Sequence, residues 1–231
     1  MSLRVVLLLV VASIAGGCAT AKYQELPNAA VQQYVTALGQ RILAVTEKAN
    51  DAAKYEFKLS ELRKHGALGV SVGNHVIYID HEFAQKNYQT LGGRTTTHFP
   101  PYLAMVLAHE IAHDIAGHAV KGEAISTVTT TGQLVGRGLS YVPGPIGWAG
   151  AGVSWLMYGA GTASAYLYGR EQELEADRKA IAYWKALRWR CEVWVERFQL
   201  LADKGITGDF RHPTEGRLAQ ARALCAEGEG R

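Results

Sequence analysis

Residues 103–118 read LAMVLAHEIAHDIAGH and hold three of the chain's eight histidines, His109, His113 and His118, with Glu110 set between the first two. His109 and His113 are four apart. On a helix that spacing stacks both imidazoles on one face, a turn apart, where they can share a tetrahedral zinc ion. Zinc lowers the pKa of a bound water to about 7. Glu110, at a different angle on the same turn, can take that water's proton as general base and hand it on to the leaving amine. This is the H-E-x-x-H logic of metalloproteases. A random chain of this length shows the pattern on the order of once in a hundred. The bland alternative is a helix with solvated histidines. Against it, Leu107, Ala108, Ile111 and Ile115 form an apolar stripe that buries one side of the helix, and buried His and Glu need partners.

A catalytic zinc needs a third protein ligand. His118 is out of register for the longer H-E-x-x-H-x-x-G-x-x-H form, so it reads as a local capping or orienting residue rather than a ligand. The better candidate lies in GREQELEADRKA, residues 169–180, where Glu173 and Asp177 are again four apart. Glu173 could bind the metal while Asp177 accepts a hydrogen bond from a ligand imidazole. By composition alone, a solvated charged helix face is the favoured reading of ELEAD.

These residues must be positioned by a modest set of elements. Val31, Tyr34, Val35, Leu38, Ile42 and Val45 recur at steps of three and four, which predicts a helix from Ala29. KYEFKLSEL alternates and reads as a strand. ALGVSVGNHVIYID reads as two strands around a two-residue turn at Gly73-Asn74. The strand HVIYID could be an edge that pairs with an extended substrate, or an internal strand. A helix opens near Pro100-Pro101 and carries the His-Glu motif. From Arg170 to about Lys204 the pattern is helical and amphipathic, and Thr214 can cap a last helix to about Ala226. Between Arg137 and Arg170 there is no charge and Gly is dense. That segment, 138–169, is a lid or buried helical piece or a membrane-touching surface; its Gly, Pro and Ser make it a poor spanning helix.

With 231 residues the chain is one generous domain, and a formal net charge of +3 without a basic block offers nothing to nucleic acid. The N-terminus, MSLRVVLLLVVASIAGGCAT, places Arg4, a short apolar run and small residues before Cys18, the order of a secretory signal peptide. Gly16-Gly17-Cys18 resembles a bacterial lipobox, although Ala15 stands where Leu is usual. The expected organisation is a signal peptide over 1–17, a lipidated tether over 18–28 with the acyl chains (palmitate among them) on Cys18, and a single domain over 29–231. Ala19 after the cysteine, by similarity to bacterial lipoproteins, points to the periplasmic side of the outer membrane. In that oxidising compartment Cys191 and Cys225 pair as a disulfide worth roughly 3–4 kcal/mol, the alternative being two buried thiols.

Several segments, in order, resemble the HtpX-like and CAAX-prenyl-protease family of gluzincin zinc metallopeptidases. VQQYVTALGQRI is similar to the family's leading helix, GNHVIYID to its active-site strand, LAHEIAHDIAGH to its zinc helix, EQELEADRKA to its E-x-x-x-D helix, and RHPTEGRLAQAR to its C-terminal His-Pro followed by Arg. The resemblance runs from about Val31 to Arg222. KHGALGVSVG departs from the family's usual Asn-Ala-Phe before the hairpin, and only the signal segment is strongly apolar, as in exported lipoprotein members. The resemblance implies one Zn2+ per chain held by His109, His113 and Glu173, with Glu110 catalytic and Asp177 orienting a histidine. His212 would stand near the metal as an oxyanion stabiliser or a regulatory plug; a turn histidine before Pro213 is the plainer alternative.

The expected fold is therefore α+β and mainly helical: a zincin-like metallopeptidase domain with a small β-sheet packed beside the HExxH helix. The expected function is a zinc-dependent endopeptidase acting on exported or membrane-associated, misassembled proteins. The rival is a non-catalytic zincin-like lipoprotein scaffold in envelope assembly.

Overall fold

The structure, a computed structural model, describes residues 23–26, 28–63, 67–90, 101–119, 169–204 and 214–227. The expected signal segment, Cys18, residues 138–168 of the uncharged stretch and His212 lie outside the described residues.

The first helix, α1 (Ala29–Leu43), starts where Asn28 accepts a hydrogen bond from the Val31 amide through Oδ1, 3.3 Å, satisfying one orphan donor of the first turn. The stripe Val31, Val35, Leu38, Ile42 is buried as its spacing predicts. A short 3₁₀ turn (Ala49–Lys54) leads into β1 (Glu56–Ser60), whose Phe57 and Leu59 point into the core. Phe57 lies against Gly39 of α1 so closely that a Cβ there would collide with its ring.

The sheet has three strands in the order β1-β3-β2, with β2 at Gly69–Ser71 and β3 at Val76–Asp80. β1 runs parallel to β3, and β2 antiparallel to it. Of the two readings of HVIYID, the internal one holds: β3 is the middle strand, and its run Ile77–Ile79 is buried throughout. A continuous apolar run is what a strand covered on both faces requires. The cleft-facing edge belongs to β2. The turn between β2 and β3 holds three residues, not two. Val72 donates to the Val76 carbonyl at 3.1 Å, and Gly73, Asn74 and His75 all take positive φ (81°, 53° and 66°). Asn tolerates that region locally, whereas His75 must be held there. Asp114 holds it, accepting from both the His75 amide (3.2 Å) and Nδ1 (2.9 Å).

Directly after β3 comes a helix the periodicity had not suggested, α2 (His81–Thr90). Asp80 starts it. Its buried carboxylate accepts from the Phe83 amide at 2.9 Å and, on its other oxygen, from the Leu62 and Arg63 amides, both at 3.1 Å. The motif helix, α3 (Pro101–Ile115), begins on a proline that needs no amide donor and buries Leu103, Leu107, Ala108 and Ile111 against α1 and the sheet. The helical stretch expected over 170–204 is two helices: α4 over 169–186 and α5 (Glu192–Asp203), divided where Arg188 takes φ 57°. Among the described residues no helix is long and apolar enough to cross a membrane.

The last helix, α6 (Thr214–Ala226), packs on α5 and is bonded to its start by the Cys191–Cys225 disulfide. Lys185 of α4 donates to the Leu224 carbonyl of α6 at 2.8 Å, so the bridge secures one corner of a three-helix unit. Replacing both cysteines by serine is expected to lower the free energy of unfolding by about 3–4 kcal/mol in urea titrations. A loss below about 1 kcal/mol would mean that helix packing alone sets this corner.

Candidate metal centre

α3 places His109 and His113 one turn apart, and their Nε2 atoms lie 3.0 Å from each other. Glu173 of α4 meets them from the opposite side, Oε2 3.1 Å from His109 Nε2 and Oε1 3.2 Å from His113 Nε2. These three residues are the group of potential metal donors found among the described residues. A tetrahedral zinc with bonds of about 2.0–2.1 Å sets its donors roughly 3.3 Å apart, so the spacing suits a small ion with mixed N/O ligands.

The ring orientations follow from what holds the far nitrogens. His109 Nδ1 is 2.9 Å from Asp177 Oδ1, one turn beyond Glu173 on α4. The carboxylate takes the Nδ1 proton, which leaves the Nε2 lone pair aimed at the shared point. His113 Nδ1 meets His118 Nδ1 at 2.8 Å, and His118 Nε2 reaches Glu175 at 3.2 Å. His118 reaches that place because the helix stops: Gly117 adopts φ 68° and its amide bonds the Asp114 carbonyl at 2.9 Å. On an unbroken helix, residues five apart face different sides. The left-handed glycine folds His118 back beneath His113, and Gln172 of α4 donates to the His118 carbonyl at 3.3 Å. His118 thus orients a candidate ligand and stays outside the cluster.

Asp177 is fully buried and would be costly alone. Arg217 of α6 answers it with two hydrogen bonds, Nε to Oδ2 at 2.5 Å and Nη2 to Oδ1 at 2.7 Å. Burial works against the Asp177 anion, but this fork and the His109 contact hold its pKa below the usual carboxylate range. Arg217 also lies 3.8 Å from Glu173 and 4.8 Å above the Phe198 ring. Two buried carboxylates against one guanidinium leave the centre short of positive charge. His109 shows the consequence: burial pushes its pKa down, but Glu173 and Asp177 more than offset this and raise it to about 10. Such a donor set suits a bound cation.

Glu110 sits beside His109 on the wall of a cavity of about 470 Å³. Its Oε2 accepts from the Ser71 amide on β2 at 2.9 Å. Gly69 makes this approach feasible, since a Cβ there would fall 2.7 Å from Val106 and 2.8 Å from Glu110 Cγ. Asp114, one turn on, accepts from Ser71 Oγ at 3.4 Å as well as from His75. α3 therefore turns its histidines to α4 and its acids to the sheet.

The family model described as Peptidase family M48 matches residues 96–223, more than half of the chain, and spans the motif helix, α4 and most of α6. The chain belongs to peptidase family M48. Its family is one of proteases that are typically zinc-dependent, and the His109–His113–Glu173 group gives this M48 chain a place where a metal ion could bind. Among curated proteins none matches the chain.

The structure brings together His109, Glu110, His113, Glu173 and Asp177, and bonds Cys191 to Cys225. His212 and Cys18 lie outside the described residues. Arg217 carries a role that no spacing assigned, because its partner Asp177 is 40 residues away and on another helix. The segment RHPTEGRLAQAR contained it.

His118→Ala should weaken zinc binding by roughly 10–100-fold in competition with a chromophoric chelator. His118→Asn, whose Oδ1 can stand in for the accepting Nδ1, should recover part of that loss; unchanged affinity in the alanine variant contradicts the role. A second expectation concerns pH. His109 has a folded-state pKa raised above its ordinary 6.5, so its contribution to metal-free stability is complete below pH 6.5 and is lost as pH climbs toward about 10. A zinc ion bound there would take the proton's place. Denaturation midpoints should fall over that range with chelator and show less slope with zinc; parallel curves would contradict it.

Proposed function

We propose that this M48 protein is a zinc-dependent endopeptidase that hydrolyses polypeptide bonds in its cleft, with His109, His113 and Glu173 as metal ligands and Glu110 as general base. The observation that carries the reading is the convergence of two imidazole nitrogens and one buried carboxylate on a single point, with a second carboxylate on the adjoining cavity wall. A zinc ion bound there would supply Lewis-acid polarisation and bring the pKa of water to near neutrality.

The chain's own groups then have distinct tasks. Glu110 takes a proton from the attacking water and delivers it to the departing amine nitrogen, a shuttle that suits a carboxylate held in place at one oxygen by the Ser71 amide. Asp177 and His118 keep the two imidazoles in the tautomer that exposes Nε2. Arg217 neutralises Asp177 and sits at the cavity wall.

Substrate binding is read from β2. Asp80 donates to the Leu68 carbonyl and Val72 to the Val76 carbonyl, so these alternate residues spend their backbone groups on β3. Gly69 and Ser71 direct theirs to the opposite edge, where the Ser71 amide is taken by Glu110 and Gly69 lines the cavity. An extended peptide adding to this edge would lie along α3 past Glu110.

The proposed setting is the periplasmic face of a bacterial outer membrane, with a lipid on Cys18 as tether and misassembled envelope proteins as substrates. Its support is the order of charge, apolar run and cysteine in residues 1–18, and a disulfide that suits an oxidising compartment. His212 is proposed to work near the metal, as oxyanion stabiliser or plug, on the resemblance of its segment alone.

Glu110→Gln keeps the shape and the acceptor for Ser71 while removing the base. It should retain wild-type zinc content and lose casein cleavage by about 10²–10⁴-fold. Zinc-loaded wild-type protein without Glu110-dependent cleavage would overturn the peptidase reading and leave the scaffold alternative.

A further inference from the structure

The cavity beside His109 and Glu110 has a second cation on its wall that the proposed chemistry does not use. Arg197 lies on α5, whose buried and half-buried face runs through Val193, Trp194, Phe198 and Leu201. An arginine in that stripe breaks the apolar pattern of the helix, and such breaks concentrate at functional positions. Its guanidinium carbon is 3.5 Å from the centroid of the Tyr102 ring. The acids of its own helix are engaged elsewhere: Glu192 and Glu196 with Arg190, and Asp203 with Gln199. Among the described residues no carboxylate is in ion-pair reach of Arg197.

The contrast with Arg217 is instructive. Both line the same cavity and both lie over an aromatic face. Arg217 has Asp177 and Glu173 to balance its charge, whereas among the described residues Arg197 has only the Tyr102 ring. Burial pulls the Arg197 pKa down. Two further donors in the same wall, the Trp194 indole Nε1 and the Tyr102 hydroxyl, are buried without a hydrogen-bond partner among the described residues. The Arg197 guanidinium stands on this side of the cleft between apolar surfaces from Met105, Phe198 and Leu201. A planar guanidinium in such a place matches a carboxylate bidentately.

Resting on the peptidase reading, we infer that Arg197 anchors a carboxylate of the bound peptide, so that the cleft selects substrates carrying an acidic group flanked by bulky apolar residues. The acid can be an Asp or Glu side chain or a free C-terminus; both present the same two oxygens.

Binding separates this inference from catalysis. The zinc-loaded Glu110→Gln protein is titrated with fluorescent peptides of one apolar sequence, carrying Glu or Gln at each position in turn and ending in a free acid or an amide. The expected result is a preference for one acid over its amide of roughly 10–100-fold, the range of a charge-assisted hydrogen-bonded contact. A preference that follows a Glu position identifies a side-chain subsite, and one that follows the terminus identifies a C-terminal subsite. Adding Arg197→Met should bring the acid-to-amide ratio to about one, and Arg197→Lys should leave an intermediate ratio. Equal binding of acids and amides, or a ratio that survives Arg197→Met in a folded, zinc-loaded protein, overturns the inference. Absence of Glu110-dependent cleavage by the wild-type protein, with the preference intact, would overturn only the catalytic reading.

Discussion

The Asp177 carboxylate is the knot on which the centre depends. It has no exposure to solvent, and it joins three helices: its own α4, α3 through His109, and α6 through Arg217. A buried carboxylate is tolerated only when its lone pairs are satisfied and its charge answered. Here two guanidinium donors and one imidazole donor do both. Because that imidazole donor is His109 Nδ1, the satisfaction of a buried charge also fixes the ring that faces Glu173. The packing of the helical half and the aim of one candidate ligand are the same set of hydrogen bonds.

The other half of the arrangement lies on α3. Two pairs at a four-residue interval, His109 with His113 and Glu110 with Asp114, are offset by one residue and so by about 100° around the helix. One pair faces α4 and the point where metal donors meet; the other faces the β2–β3 hairpin through Ser71 and His75. Gly69 permits the sheet edge to lie against the helix, and the Asp114 contacts hold a hairpin turn whose His75 has left-handed φ. The cleft is the space left between this hairpin, α3 and α5, which puts a backbone edge, the Glu110 carboxylate and one candidate metal ligand, His109, on its walls.

How legible this was in the chain depended on the reach of each constraint. His109, Glu110 and His113 lie within one turn of helix, and α1, β1, α3 and α6 carried apolar stripes or termini of ordinary kind, so local pattern was enough. Glu173 and Asp177 were recognisable as a four-residue pair but not distinguishable from a solvated face, because burial depends on α3 and α6. The place of His118 turned on one left-handed glycine, and the break at Arg188 on a positive φ in a segment without glycine. The run Val76–Ile79 did hold the signal of a central strand, in its lack of alternation, and Asp80 before His81-Glu82-Phe83 held a cap signal for α2. Arg217 and Arg197 had no local signal, since their surroundings come from other helices.

The central claim is that two imidazoles of α3 and the Glu173 carboxylate hold one divalent cation. Anomalous diffraction at the zinc absorption edge from crystals of the zinc-equilibrated full chain tests it most directly. The account predicts a single strong peak bonded to His109 Nε2, His113 Nε2 and Glu173 at about 2.0–2.2 Å. A fully zinc-equilibrated crystal whose strongest peak lies on other residues, or that shows none among these three, contradicts it.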